Sequence, residues 1–264
     1  MKLDIDLPEV LIAFKKNIEA SIKPFIEIKA SQEENLLLWQ SKFGGLPYFP
    51  KDLEYPKDAK GQPMFLLAQI NFAESPKLEK FPKAGILQFY ISGGDDLYGA
   101  ILEDLGKQDG FRVLYFPEVF EDESKLITDF GFLPEPDMLP FGKSCSLKFS
   151  LKHAPVTAND YQFESLVIGQ GADSGPDIDK VYSEYETTFP AYGHRIGGYP
   201  YFTQSDPRND EKYKNQQYVL LFQMDSDEEA GILWGDVGVG NFFITEQDLQ
   251  KKDFSRVLYS WDCG

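Results

Sequence analysis

Histidine and cysteine are scarce, with two of each in a chain of 264 residues. Cys145 and Cys263 form no Cys-x-x-Cys pair, and the second stands beside the C-terminus. The sequence therefore supports neither a disulfide framework nor a cysteine zinc site. With only His153 and His194 available and no Gly-x-Ser-x-Gly elbow, a serine or cysteine triad has no local signature. Long apolar runs are missing as well: no stretch of about 18 uncharged apolar residues occurs, which excludes a membrane-spanning helix. The opening MKLDIDLPEVLIAFKKNIEA lacks the basic head, unbroken apolar stretch and cleavage site of an export signal. Reduced thiols and a cytoplasmic location are the expectation.

Positive charge is also in short supply. Lys and Arg number 26 against 43 Asp and Glu, a formal charge of −17 that repels phosphate backbones and anionic membranes, so neither nucleic acid nor membrane is an expected partner. A basic protein is what such a field attracts, although acidity also serves plain solubility. Short motifs for cofactors break down on inspection. Gly142-Lys143-Ser144 ends like a phosphate loop, but Asp137 stands where the earlier glycine is required, and Gly238-Val-Gly240 fails as a dinucleotide pattern at Phe243. The acidic run Asp225-Ser-Asp227-Glu228-Glu229 opens like a calcium loop, yet Ala230 and Asp236 fill the positions that need Gly and Glu. No metal and no cofactor are expected.

What the chain has is aromatic residues and a repeat. Hydrophobic content of 42%, with 22 Phe and 14 Tyr, builds a large core and excludes wholesale disorder. Lys42-Phe-Gly-Gly-Leu-Pro-Tyr-Phe49 is matched by Arg195-Ile-Gly-Gly-Tyr-Pro-Tyr-Phe202 at an offset of 153, with five of eight positions identical. Leu66-Leu-Ala-Gln-Ile-Asn71 pairs with Leu220-Leu-Phe-Gln-Met-Asp225 at 154, and Ala84-Gly-Ile-Leu87 with Ala230-Gly-Ile-Leu233 at 146. The order of the three blocks implies a duplicated unit: a glycine turn, an aromatic segment, a buried strand ending in Gln, and a further strand after Gly. Short β-rich segments joined by loops favour antiparallel pairing.

The expected fold class is α+β, a duplicated unit of mainly antiparallel strands with peripheral helices in a single compact body of two pseudo-symmetric halves. One domain covers 1–264, with repeats at about 35–105 and 188–262. The apolar spacing of Leu11, Phe14, Ile18 and Ile22 predicts a helix over 8–22, capped by Asp6 and stopped by Pro24. Strands are predicted at Phe25–Ala30 and Asn35–Trp39. A connection over 117–187 holds an irregular proline-rich part and helices at Asn159–Ile168 and Asp177–Thr187, the second with Pro176 as its start signal. A short helix from Thr245 to about Lys252 and a closing strand at Arg256–Trp261 complete the chain.

Both repeats need Gly44, Gly45, Gly197, Gly198, Gln69 and Gln223, which points to a structural frame. The glycines suit a backbone at positive φ, with an anion-binding nest beside Lys42 or Arg195 as the functional alternative. The glutamines are desolvated amides that need partners. Where the copies differ, the second is richer: His194 beside Arg195, Asp225 in place of Asn71, and Trp234-Gly-Asp236. Asp225, Asp236 and His194 are the candidate catalytic residues, and Arg195, Gln223 and Trp234 the candidate binding residues, with Arg195, Gln223, Asp225, Trp234 and Asp236 expected to line a cleft between the repeats.

Ser41-Lys-Phe-Gly-Gly-Leu-Pro, Phe65-Leu-Leu-Ala-Gln-Ile, His194-Arg-Ile-Gly-Gly-Tyr-Pro and Leu221-Phe-Gln-Met-Asp-Ser with Trp234-Gly-Asp resemble the YwqG family of bacterial proteins over nearly the whole chain. The resemblance implies a duplicated α+β architecture and transfers no catalytic residue. The expected function is a non-catalytic cytosolic binding or protein-interaction module, monomeric, with an acidic surface. The alternatives are a hydrolase with a carboxylate site between the repeats, and a small-ligand or sugar binder using Trp234 and tyrosines as platforms.

Overall fold

Pro24 bars Lys23 from helical backbone, so the first helix ends and the chain turns into its first strand. In the computed structural model, which describes residues 2–169 and 177–264, that helix is a 3-10 turn over Glu9–Phe14 followed by α1 (Lys15–Ser21). It starts at Pro8 with no side-chain cap, so Asp6 does not play that part. The long strand β1 (Lys23–Gln32) follows.

After β1 come β2 (Lys42–Phe43), β3 (Phe65–Asn71), β4 (Ile86–Ile91) and β5 (Phe111–Phe116), the first run of five strands. The second run is β6 (Cys145–Ala154), β7 (His194–Gly197), β8 (Tyr218–Asp225), β9 (Val239–Thr245) and β10 (Leu258–Asp262). All pair antiparallel in one sheet, in the order β10-β9-β8-β7-β1-β6-β2-β3-β4-β5. The order reads the same from either end once the runs are matched. It also crosses them: β1 sits beside β7 of the second run, and β6 beside β2 of the first. Each Gly-Gly strand is thus paired with the long strand of the other run.

The sheet curls into a nearly closed barrel, and rings from its two edge strands, Phe111 and Tyr259, meet at 5.3 Å between centroids. The outer edge of β10 is covered by a loop, since Tyr259 N–H donates to the Leu105 carbonyl at 2.9 Å. An edge closed this way offers no template for a foreign strand. Phe43, Phe89, Phe222, Phe242 and Tyr259 fill the interior, with Phe242 stacked on Tyr259 at 4.5 Å. Offset and edge-to-face pairs like these add about 0.5–1.5 kcal/mol each beyond the area they bury. Outside the barrel, an aromatic cluster around Tyr48, Tyr90 and Phe130 covers the first run. Leu11, Ile18, Phe163 and Tyr185, from the 3-10 turn, α1, the 160s segment and α2 (Ile178–Thr188), cover part of the second.

Three expectations are corrected. About 16% of the chain is helical, including α3 (Glu246–Lys251), so the class is mainly β rather than α+β. Asn35–Trp39 forms no strand, because its carbonyls and those beside it are taken by side chains of the frame described below. Asn159–Ile168 is a turn ending in a π-helical turn at Glu164–Ile168. The start signal assigned to Pro176 lies outside the described residues.

The third repeat block is also misaligned in the sequence reading. Ala230–Leu233 is a loop, in which Asp227 and Ile232 exchange backbone hydrogen bonds. The partner of β4 is β9, at the same offset of 153 as the glycine turns, since Gln69 faces Gln88 across one ladder and Gln223 faces Asn241 across the other. Both ladders skip one residue at matching places, Leu67 and Leu221, while the extra unit of offset before Gln comes from the preceding loop, one residue longer over 203–219 than over 50–65.

Candidate functional site

The glycine pairs set the local geometry. Gly44, Gly45, Gly197 and Gly198 all have φ between +60° and +72°, which ends β2 and β7 and swings the aromatic segments back over the sheet. Space adds a second constraint, as a Cβ on Gly198 would lie 2.8 Å from that of Phe25.

Into each turn reaches a buried glutamine. Gln69 Oε1 accepts from Tyr48 N–H at 2.8 Å, and its Nε2 donates to the Leu38 and Gln40 carbonyls at 2.7 Å each. Gln223 repeats the pattern, accepting from Tyr201 N–H at 2.8 Å and donating to Gly193 at 2.7 Å and Ala191 at 3.3 Å. A buried cation binds the same stretch. Lys42 Nζ donates to the Leu37, Leu38 and Leu46 carbonyls, and Arg195 donates to those of Ala191, Tyr192 and Tyr199. Burial lowers Lys42 to about 8 and Arg195 to about 10.

The sequence reading missed Gln88 and Asn241, whose amides donate to the Tyr48 and Tyr201 carbonyls at 2.7 and 2.9 Å. The constant offset of 153 would have found them had it been carried into β9. Here the runs diverge: Tyr90 donates its hydroxyl to Gln88 Oε1, whereas Phe243 fills that place in the second run. Among the described residues the buried Asn241 Oδ1 has no donor.

The other differences cluster at His194. In the first run Ser41 Oγ accepts from Asn71 N–H; in the second His194 Nδ1 accepts from Asp225 N–H at 3.0 Å. That bond leaves the ring proton on Nε2, aimed at Asp227 Oδ2, 3.3 Å away. The His194 hydrogen bond lowers Asp227, while burial raises Asp225 even though Gly193 N–H donates to its Oδ2 at 2.6 Å.

The candidates therefore separate. His194, Arg195, Gln223 and Asp225 are brought together on β7 and β8. Asp236 sits on an exposed turn, and neither it nor Asp225 lines the cavities described below. Trp234 is 0% exposed, packed on Tyr98, Trp261 and Gly240, and so gives no platform to a sugar or other ligand. His153 is exposed on β6, opposite Pro24.

Two cavities open beside these residues on the side of the second run. One of about 470 Å³ is lined by Glu27, Lys29, Tyr192, His194, Asp227 and Glu229, among others. A second of about 420 Å³ lies under the N-terminal residues, and both border on Phe25, Glu27, Pro190 and Arg195. Arg195 lies over the Phe25 ring, 4.8 Å from its centroid. Residues far apart in sequence, from β1 and from the end of α2, complete these walls, and no local motif announces them.

The class defined by this architecture is a nearly closed antiparallel barrel whose two five-strand runs carry matching clamps of buried amides and a buried cation. The chain belongs to the family described as a domain of unknown function, DUF1963, which matches residues 41–263. No curated protein matches it.

Proposed function

We propose that the chain arose by internal duplication of a five-strand unit, is one of the YwqG-type members of its family, and works in the cytoplasm as a non-catalytic binding module with a basic protein as partner. The linked motifs around Gly44, Gln69, Gly197 and Gln223 support the first two points. For function, the observation that carries the reading is the 470 Å³ cavity, where the Glu27, Asp227 and Glu229 carboxylates stand beside Tyr192, 65% exposed. Carboxylates with an aromatic face suit a lysine or arginine side chain, and the charge of −17 steers a basic partner toward them. Against catalysis stand the hydrogen bonds themselves: Arg195, Gln223 and Asp225 spend their polar groups on backbone in the manner of Lys42, Gln69 and Asn71.

Capture of cytosolic proteins on the immobilised chain, at low and high salt, tests the reading against a Glu229→Lys variant. A basic protein held by the parent at low salt, and released both by salt and by the substitution, is the expected result. Identical captures by parent and variant would sink it.

A further inference from the structure

We propose that the cavity under the N-terminus is a binding site for a carboxylate carried on an apolar chain, with the carboxylate placed between Arg195 and Lys152. The proposal rests on the binding-module reading and names a ligand class for its second run.

The lining suits such a ligand. Leu3, Ile22, Phe25 and Phe189 give apolar walls to a space of about 420 Å³, within the range of small-molecule sites. The N-terminal segment that roofs it is tied down, since Leu3 N–H donates to Glu19 Oε1 at 3.2 Å. Charge is inverted relative to the rest of the molecule. Lys2, Lys152 and Arg195 border the cavity against Asp4 and Glu27, three cations to two acids, in a chain where acids outnumber cations 43 to 26.

Arg195 borders the same space. It is 4% exposed, and its hydrogen bonds go to three carbonyls. Among the described residues no carboxylate lies within 4.0 Å of it, and its Nε has no acceptor. Glu27, across the ladder from it, and Asp225 act on it only from beyond that distance, so its burial is incompletely compensated and an anion in the adjoining cavity adds to what they supply. Those bonds use three of the five guanidinium N–H groups, and Nε is closed off from solvent, which leaves one N–H of Nη1 unspent. That matches a single carboxylate oxygen better than a phosphate, which calls for several donors at once.

The site is peculiar to the second run. Lys152 stands directly across the ladder from Phe25, and the Arg195 guanidinium lies over that ring. In the first run the residue that meets the glycine turn in Phe25's place is Ser144, as shown by the Cβ positions of Gly45 and Gly198. An apolar floor flanked by cations therefore exists on one side of the barrel centre and not in the matching place on the other.

Decanoate is the probe, with decan-1-ol and acetate as controls that keep the tail or the charge alone. Titration calorimetry on the full chain should show decanoate binding more tightly than either control. Lys152→Glu, an exposed position outside the clamp, should weaken decanoate about five-fold or more while leaving decanol unchanged. Because Arg195→Gln risks the fold, Arg195→Lys with a melting curve serves as the second variant, and it should lose decanoate affinity while remaining folded. Equal affinity for decanoate and decanol, no decanoate binding, or indifference to Lys152→Glu would overturn the assignment. If decanoate fails but basic-protein capture still depends on Glu229, the ligand class falls and the binding module stands. If both fail, the module reading falls too.

Discussion

Replacing Gln69 or Gln223 by leucine tests whether the two clamps do equal work. Losing the Gln69 amide leaves Tyr48 N–H and the Gln40 carbonyl without partners and removes one of the two bonds of Gln88 Nε2, which still donates to the Tyr48 carbonyl, while the Leu38 carbonyl still accepts from Lys42. Losing Gln223 likewise orphans Tyr201 N–H and the Gly193 carbonyl, while Ala191 keeps its bond from Arg195. Two orphaned buried groups cost about 1–3 kcal/mol each, partly offset by the leucine side chain, so each variant should lose about 2–4 kcal/mol. The two losses should agree within about 1 kcal/mol, given the scatter of such measurements. Urea unfolding with an unchanged slope, or a fall in Tm of about 4–16 °C, is the readout. A loss below about 0.5 kcal/mol in either variant would show that the amide is dispensable and would refute the clamp.

Other outcomes follow from the same geometry. The folded Lys42 sits near pKa 8 against 10.5 unfolded, so between those values the unfolded state binds more protons. Stability should therefore rise from pH 8 to about 10 by up to roughly 2–3 kcal/mol, relative to a Lys42→Arg variant that stays charged throughout. A flat difference between the two denaturation profiles would contradict the buried, uncompensated amine. Gly198→Ala should destabilise more than Gly61→Ala, because both have positive φ but only Gly198 lacks room for a Cβ; equal melting shifts would remove the packing argument. Asn241→Gln combined with Phe243→Tyr rebuilds the pair seen in Gln88 and Tyr90, and should be about 0.5–1.5 kcal/mol more stable than Asn241→Gln alone. A less stable double variant in urea would reject the equivalence.

The parts of the fold legible in sequence are those with narrow physical demands. Two glycines at positive φ and one amide serving an N–H and two carbonyls leave little freedom of residue type, so these positions match in both repeats and stand out. The β4 and β9 ladders carry Gln-Phe-Tyr and Asn-Phe-Phe, similar in role but not in letters, and the chance string Ala-Gly-Ile-Leu drew the alignment away from them. Asn35–Trp39 looked like a strand because it is apolar, yet what it supplies is carbonyls. At the site, His194 and Arg195 were visible beside the glycine turn. Phe25 and Lys152 were not, since only the pairing of β1 with β6 and β7 brings them there. Trp234 misled because burial of a ring near a sheet end leaves no sequence mark that distinguishes it from an exposed platform.

The crossing of the two long strands has a consequence for synthesis. Phe25 is paired with Gly197, 172 residues further along, and its other neighbour in the sheet, Lys152, is 127 residues away. At about 5–20 residues per second, a nascent chain carries β1 with both edges open for on the order of ten seconds before either partner has emerged. β1 finds both its neighbours, β6 and β7, in the second run, so the first run by itself leaves it unpaired in the sheet. Assembly of the centre of the sheet thereby waits for nearly the whole chain.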